Sequence, residues 1–390
     1  MIFKEVQSLR KRGDLTGAYA MAKNAYNTNH NDVWAKKALL MCIYEQLGHI
    51  AMFDTRDDFY AKLCELKEVN PEIDDISWNL TAYPIANIIR DTIQNNGNSE
   101  QIEPFFNRLF NKIKDFPYTK PSKEYSILLN SFIGLSRRWG NLYNFITWWG
   151  VSNLDAKDYD VTYYPDGARI RPLAERVGVT YAWEIISNSG VTILTELIDG
   201  ARTCVGLLED LIQKGIPAES SPKNQNVWFL CSRLHLLLCE SDKATLLLSD
   251  FIEKNGDSSL WAIRLLADNI EYEWIRIPCY CRIYKMCEGK EDFDTLAIKE
   301  ALVDLLLKEG NDYEAKYIYL SIRVPCQDSE SKSNYFKAVK RVHDHYIEAM
   351  DAIDIPGDEE ERAMWNSKME SFINEKSEHL MEYIHTLNNL

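Results

Sequence analysis

Apolar residues recur along this chain at helical spacing, and the recurrences come in pairs separated by short polar turns. Ala18, Ala22 and Ala25 share one helical face after the turn Arg12-Gly13-Asp14-Leu15, and Asn31 to Trp34 opens the next helix. Residues 227–238 form a near-continuous apolar run that the corner at 240–242 breaks, after which Ala244, Leu248 and Phe251 resume on one face. Polar residues 255–259, with Gly256, close that hairpin, and Leu260 with Trp261 begins another. Later, 296–307 reads as an amphipathic helix and 310–312 as a turn. Tyr313, Ala315, Tyr319 and Ile322 lie on a return helix that Pro325 stops. Two further helices are predicted at 335–350 and 363–388.

A tryptophan stands just inside several of these helix starts. Trp34 follows Asn31-Asp32, Trp78 follows Asp75 and Ser77, Trp228 follows Asn224 and Asn226, and Trp261 follows Ser259. Each Asp, Asn or Ser can cap free backbone N–H groups while the ring packs onto the preceding hairpin. A single helical hairpin cannot cover its own apolar face, so it must stack on a neighbour. The pattern therefore predicts an all-α fold: a right-handed α-solenoid of helical hairpins in four segments, 1–116, 117–186, 187–326 and 327–390. The second segment is irregular. A dense aromatic helix pair ends at Gly150, and 161–164, Pro165-Asp166-Gly167 and 168–171 alternate and turn like one short β-hairpin. Helix resumes at 173–186.

Two hairpins resemble tetratricopeptide repeats: Gly13-Asp14-Leu15 with Ala18, Ala22 and Ala25, and Gly310 with Asp312-Tyr313-Glu314-Ala315. Residues 242–251 share less of the pattern. The repeats are degenerate, since His30 stands where the family ends its unit with proline and the Gly310 turn carries an extra residue. The resemblance implies a scaffold whose first helices line an inner surface that receives a peptide or domain. The central block, 121–183, resembles helical repeat-bearing proteins of bacterial conflict systems of the TOTE type. That resemblance implies an alternative role, an RNA-associated helical subunit of a defence system, here without a nucleic-acid-binding barrel.

Length and charge narrow these readings. At 390 residues the chain suits several domains or one elongated array, and 46% hydrophobic with 26% charged residues is ordinary for a folded protein. A formal charge of −15 argues against indiscriminate nucleic-acid binding, which needs clustered Lys and Arg. Arg10 to Arg12, Arg137 with Arg138, Arg169 with Arg171, and Lys337 with Lys340 and Arg341 are local basic candidates that read first as solvated helix faces. The nine cysteines lack paired spacing, and several, such as Cys231 and Cys239, sit in apolar runs as buried, reduced thiols do. With no secretory leader and no apolar run of membrane-spanning length, the expected location is cytoplasmic.

Familiar catalytic signatures are missing: no Gly-rich phosphate loop, dinucleotide fingerprint, His-Glu-x-x-His or Gly-x-Ser-x-Gly occurs. His343 and His345 on one helix would point about 200° apart, given about 100° per residue, and cannot jointly grip a metal. Cys279, Cys281 and Cys287 lack a second spaced pair and read as core. Asp312-x-Glu314-x-Lys316 imitates a nuclease element but falls on a helical turn. The sequence thus gives no catalytic residue, no metal and no cofactor. Its sharpest candidate is an aromatic and basic cluster: Arg137, Arg138, Trp139, Trp148, Trp149, Tyr163, Tyr164, Arg169 and Arg171. Guanidinium and indole groups together suit a protein hot spot or stacking on unpaired bases. The plainer reading makes Trp148 and Trp149 core anchors, with the hairpin capping them. A non-enzymatic scaffold with a protein partner is the expected function, with nucleic acid second and no membrane partner.

Overall fold

The structure, a computed structural model, describes residues 2–69, 75–95, 99–189, 195–217, 226–270, 273–290, 292–322 and 330–388. Pro325 and the Asn224 capping position lie outside them. Regular structure among the described residues is helical apart from one two-stranded antiparallel ribbon. The chain forms two compact units, Met1–Pro217 and Ala218–Leu390.

Unit 1 begins with α1 (Ile2–Lys11), α2 (Leu15–Thr28) and α3 (Val33–His49), which all pack on one another. The Gly13 turn has φ +83°, and the Asp14 carboxylate accepts from the Gly17 N–H, starting α2 with Ala18 and Ala22 fully buried. Asp32 caps α3 in the same way. Trp34 departs from its expected burial, because it stands 59% exposed with its ring edge-on to Phe3. Helix α4 (Arg56–Val69) packs on α3, α6 (Ala82–Gln94) on α3 and on α5 (Asp75–Leu80), and α7 (Ser99–Ile113) on α4. α8 (Lys123–Ile133) packs on α6, and α9 (Leu142–Trp149) on α8.

A polar cluster ties α2 to α4. Burial works against the Glu65 carboxylate, but hydrogen bonds from Lys62, Tyr19 and Lys23 outweigh it and hold its pKa down to about 2. A carboxyl depressed in the folded state contributes stability above its unfolded pKa and loses it as pH falls through the folded value. Between about pH 4.5 and 2, the acid limb of thermal unfolding is therefore expected to flatten in Glu65→Gln relative to wild type. Parallel limbs would show that the cluster contributes nothing.

Aromatic rings cluster at α7, α8 and α9. Phe132 stacks on Phe145 at 4.0 Å and Tyr125 on Trp149 at 4.6 Å between ring centroids. The second pair also exchanges hydrogen bonds: Trp149 Nε1 donates to the Tyr125 carbonyl at 3.0 Å, and the Tyr125 hydroxyl donates to the Trp149 carbonyl at 3.1 Å. After Gly150 come two short 3-10 turns, then β1 (Thr162–Tyr163) and β2 (Arg169–Ile170), with Tyr163 opposite Arg169. α10 (Leu173–Asn188) packs on α8, α9 and α11 (Thr195–Gln213), so the boundary read at 186/187 falls in the last turn of α10, inside one unit. Glycine permits the close approach there. A Cβ at Gly178 would stand 2.8 Å from Leu208 of α11, and Cys204 Sγ donates to the Gly178 carbonyl.

Unit 2 begins with three helix pairs: α12 (Val227–Leu237) with α13 (Ser241–Asn255), α14 (Leu260–Asn269) with α15 (Glu273–Met286), and α16 (Phe293–Lys308) with α17 (Asp312–Leu320). Asn226 caps α12, whereas the Ser259 hydroxyl bonds the Gly256 carbonyl and leaves α14 without a side-chain cap. α18 (Glu330–Asp351) packs on α16. The 30-residue α19 (Glu359–Asn388) packs against α13, α15 and α17, the second helix of each pair. Met369, Ile373, Ser377, Leu380 and Ile384 form its buried stripe. Both late helices are longer than their sequence pattern predicts.

Candidate functional site

The nine residues singled out in the sequence separate into a buried group and a surface group. Trp139 and Trp149 are almost completely buried. Trp139 Nε1 donates to the Asn107 side chain at 2.8 Å, and its ring touches Phe106, Phe110 and Phe132. Trp148 is half-buried against Phe110, with the Lys120 ammonium 5.4 Å from its ring. Arg138 is half-buried and donates to the Ile93 carbonyl at 3.1 Å, while Arg137 is exposed at φ +66°. None of the three indoles is open to a partner as a flat face. An indole has a large apolar body and one N–H, and the N–H groups of Trp139 and Trp149 both find an acceptor at the right distance.

The ribbon is different. Tyr163 is 65% and Tyr164 56% exposed, on the strand and the first turn residue of a tight loop. The Tyr164 N–H donates to the Ala168 carbonyl at 2.8 Å, and the Asp166 carboxylate accepts from the Ala168 N–H, so the loop is internally braced. From beneath, Arg169 Nη2 donates to Glu175 Oε2 at 2.6 Å and to the Ile216 carbonyl. Arg171 Nε lies 3.8 Å from Glu175 Oε1. Glu175 is fully buried in the first turn of α10. A carboxylate there requires a cation, and these two arginines supply it. Their charge therefore fixes the ribbon to α10 and α11 and is not free for a phosphate.

Beside the ribbon lies a cleft that sequence reading does not reveal. It measures about 400 Å³ and is walled by the first turns of α8 and α10 and by the 3-10 turn Ala156–Tyr159. Lys123, Lys157 and Arg176 line it, and no described carboxylate pairs with any of them. Arg176 is half-buried and its Nε is shut from solvent with no hydrogen-bond partner. Burial pushes its pKa below the usual arginine value, and the neighbouring Tyr164 hydroxyl opposes that shift. The two acids of the cleft are occupied locally. Asp158 accepts from the Ser126 hydroxyl at 2.7 Å and from the Asp155 N–H, and Asp155 accepts from the Lys157 N–H. A second hollow of about 600 Å³ between α6 and α8 adjoins it, sharing Ile127 and Asn130.

Elsewhere the chemistry-bearing side chains stay apart. Among the described residues no group of three His, Cys, Asp or Glu could hold a metal ion. Cys279 and Cys281 are buried in α15, where burial raises both thiols, Cys281 to about 12, away from the thiolate a metal needs. Cys239 is exposed at φ +60° just past α12, contrary to its apolar sequence surroundings, because it ends the helix instead of continuing it. His343 packs on Tyr319, and His345 on Tyr346. Lys316 is buried and donates to the Met350 carbonyl, away from any acid pair. No helix among the described residues is long and apolar enough to cross a membrane. In comparisons with known proteins the chain matches no family model and no curated protein.

Proposed function

We propose that this chain is a non-enzymatic scaffold that binds another protein through the Tyr163–Tyr164 ribbon. The carrying observation is that two adjacent tyrosines, each more than half exposed, stand on a loop braced by its own hydrogen bonds and tied down by the Arg169–Glu175 pair. Rigid aromatic side chains with little ordering entropy left to lose are what protein hot spots use. The helix pairs supply the support. Asp14 capping α2 above buried Ala18 and Ala22 is consistent with tetratricopeptide-like hairpins, and a solenoid of such hairpins within each unit is part of the same reading. Engagement of Arg169 and Arg171 by Glu175 favours a protein over RNA at this ribbon.

The test compares the full chain with Tyr163→Ser/Tyr164→Ser, both immobilised and exposed to extract of the native cell. A protein held by wild type is expected to bind the double variant at least about tenfold more weakly, with unchanged circular dichroism and melting. If every retained protein binds both forms equally, the ribbon is not the docking element. Retention of RNA by wild type, lost steeply with salt and lost in the double variant, would place the chain with the RNA-associated subunits instead.

A further inference from the structure

The cleft beside the ribbon holds an arginine, Arg176, whose buried Nε has no hydrogen-bond acceptor and whose desolvation only the Tyr164 hydroxyl opposes. A guanidinium taken partly out of water, with one N–H buried and unbonded, loses hydration energy that a counter-ion would restore. The other arginines of the block that are withdrawn from water have acceptors: Arg138 meets the Ile93 carbonyl, and Arg169 and Arg171 meet the Glu175 carboxylate, while Arg137 is exposed. Arg176 faces an open volume, and two lysines from other elements face the same volume. Three cations stand against two aspartates whose oxygens already accept from Ser126, Asp155 and Lys157. The α10 helix that carries Arg176 starts at Pro172 without a side-chain cap, which adds to the positive potential without defining the site.

We infer that the cleft between α8, α10 and the Ala156–Tyr159 turn binds the phosphoryl group of a phosphate monoester, held by Arg176 with Lys123 and Lys157. The guanidinium is the specific contact, because its planar N–H groups match two phosphoryl oxygens, while the lysines act as point charges. The adjoining hollow gives the organic part a place: Ala86, Ile89 and Ile93 offer apolar wall, and Tyr83 and Asn87 offer polar groups. This inference does not depend on what the ribbon binds, since none of its three cations lies on the ribbon.

Calorimetric titration of the full chain at fixed ionic strength tests it, with inorganic phosphate, phenyl phosphate and sulfate as probes. Both phosphates are expected to bind, phenyl phosphate the tighter. Arg176→Gln is expected to weaken both by about tenfold or more, and Lys123→Gln/Lys157→Gln by several-fold. Both lysines are exposed, so the second variant keeps the test meaningful should Arg176→Gln misfold. Phosphate bound as tightly as phenyl phosphate would overturn the monoester in favour of a free-anion site, whereas a preferred phenyl ester supports it. The inference is overturned if sulfate binds as well as either phosphate, or if the lysine variant titrates like wild type.

Discussion

Changing Leu380 to alanine is expected to destabilise unit 2 by roughly 3 kcal/mol, within the range for a leucine removed from a packed interior. Leu380 is fully buried in the C-terminal third of α19. Around it the helix is held by several kinds of contact. Ser377 accepts from Arg282 of α15 at 3.3 Å, Trp365 meets Tyr317 of α17 edge to face, and His385 with Asn388 grips Glu253 of α13. The apolar positions Met369, Ile373 and Ile384 share its stripe, so the cost of a cavity at Leu380 falls on one continuous contact. Leu380→Asp should go further and detach α19, because an unpaired carboxylate cannot stay in that contact. Urea unfolding of the full chain measures the first effect, and binding of a hydrophobic dye reports the second. Met364→Ala is the control: that side chain is 70% exposed and its loss should change stability by less than about 0.5 kcal/mol. A Leu380→Ala protein that unfolds with wild type would mean that α19 does not lie where it is placed here.

The second large effect concerns Arg169. Removing its charge in Arg169→Met leaves Glu175 buried with Arg171 alone, 3.8 Å away, and is expected to cost roughly 3 kcal/mol. Most of that cost arises from the carboxylate left behind. Arg169→Met/Glu175→Leu should therefore recover more than half of it, because two apolar side chains of similar bulk need no counter-ion. Equal losses in the single and double variants, read from urea midpoints, would contradict the assignment of Glu175 as the reason for the arginine. The same comparison warns against using Arg169 or Arg171 to probe nucleic-acid binding, since weaker binding there would report a loosened ribbon.

Much of the fold was legible because its cause is local. The Gly13-Asp14 turn, the Asp32 and Asn226 caps and the Pro165-Asp166-Gly167 loop act over a few residues, and each produces the element its pattern predicts. What was not legible depends on who the neighbours are. Periodicity places Trp139 and Trp149 on helices or their flanks but cannot tell whether the rings face Phe106 and Tyr125 or a partner. Trp34 and Trp228 look alike in sequence, each just behind an Asp or Asn that starts its helix, yet one is largely exposed and the other buried. The cleft draws Lys123, Lys157 and Arg176 from three elements, and no spacing along the chain groups them. One clue did exist for the ribbon: Glu175 follows Arg171 by a helical turn, a spacing that favours an ion pair once α10 forms.

The placement of α19 also bears on how the chain is made. α13, α15 and α17 are synthesised before the helix that covers them. At about 5–20 residues per second, several seconds pass between the emergence of α17 and that of the Leu380 stripe. During that interval the apolar sides of three helices meet water, and each nascent copy offers them to its neighbours on the same message. Slow translation through residues 321–384 would lengthen that exposure, and a chaperone that shields short amphipathic helices would be needed most there.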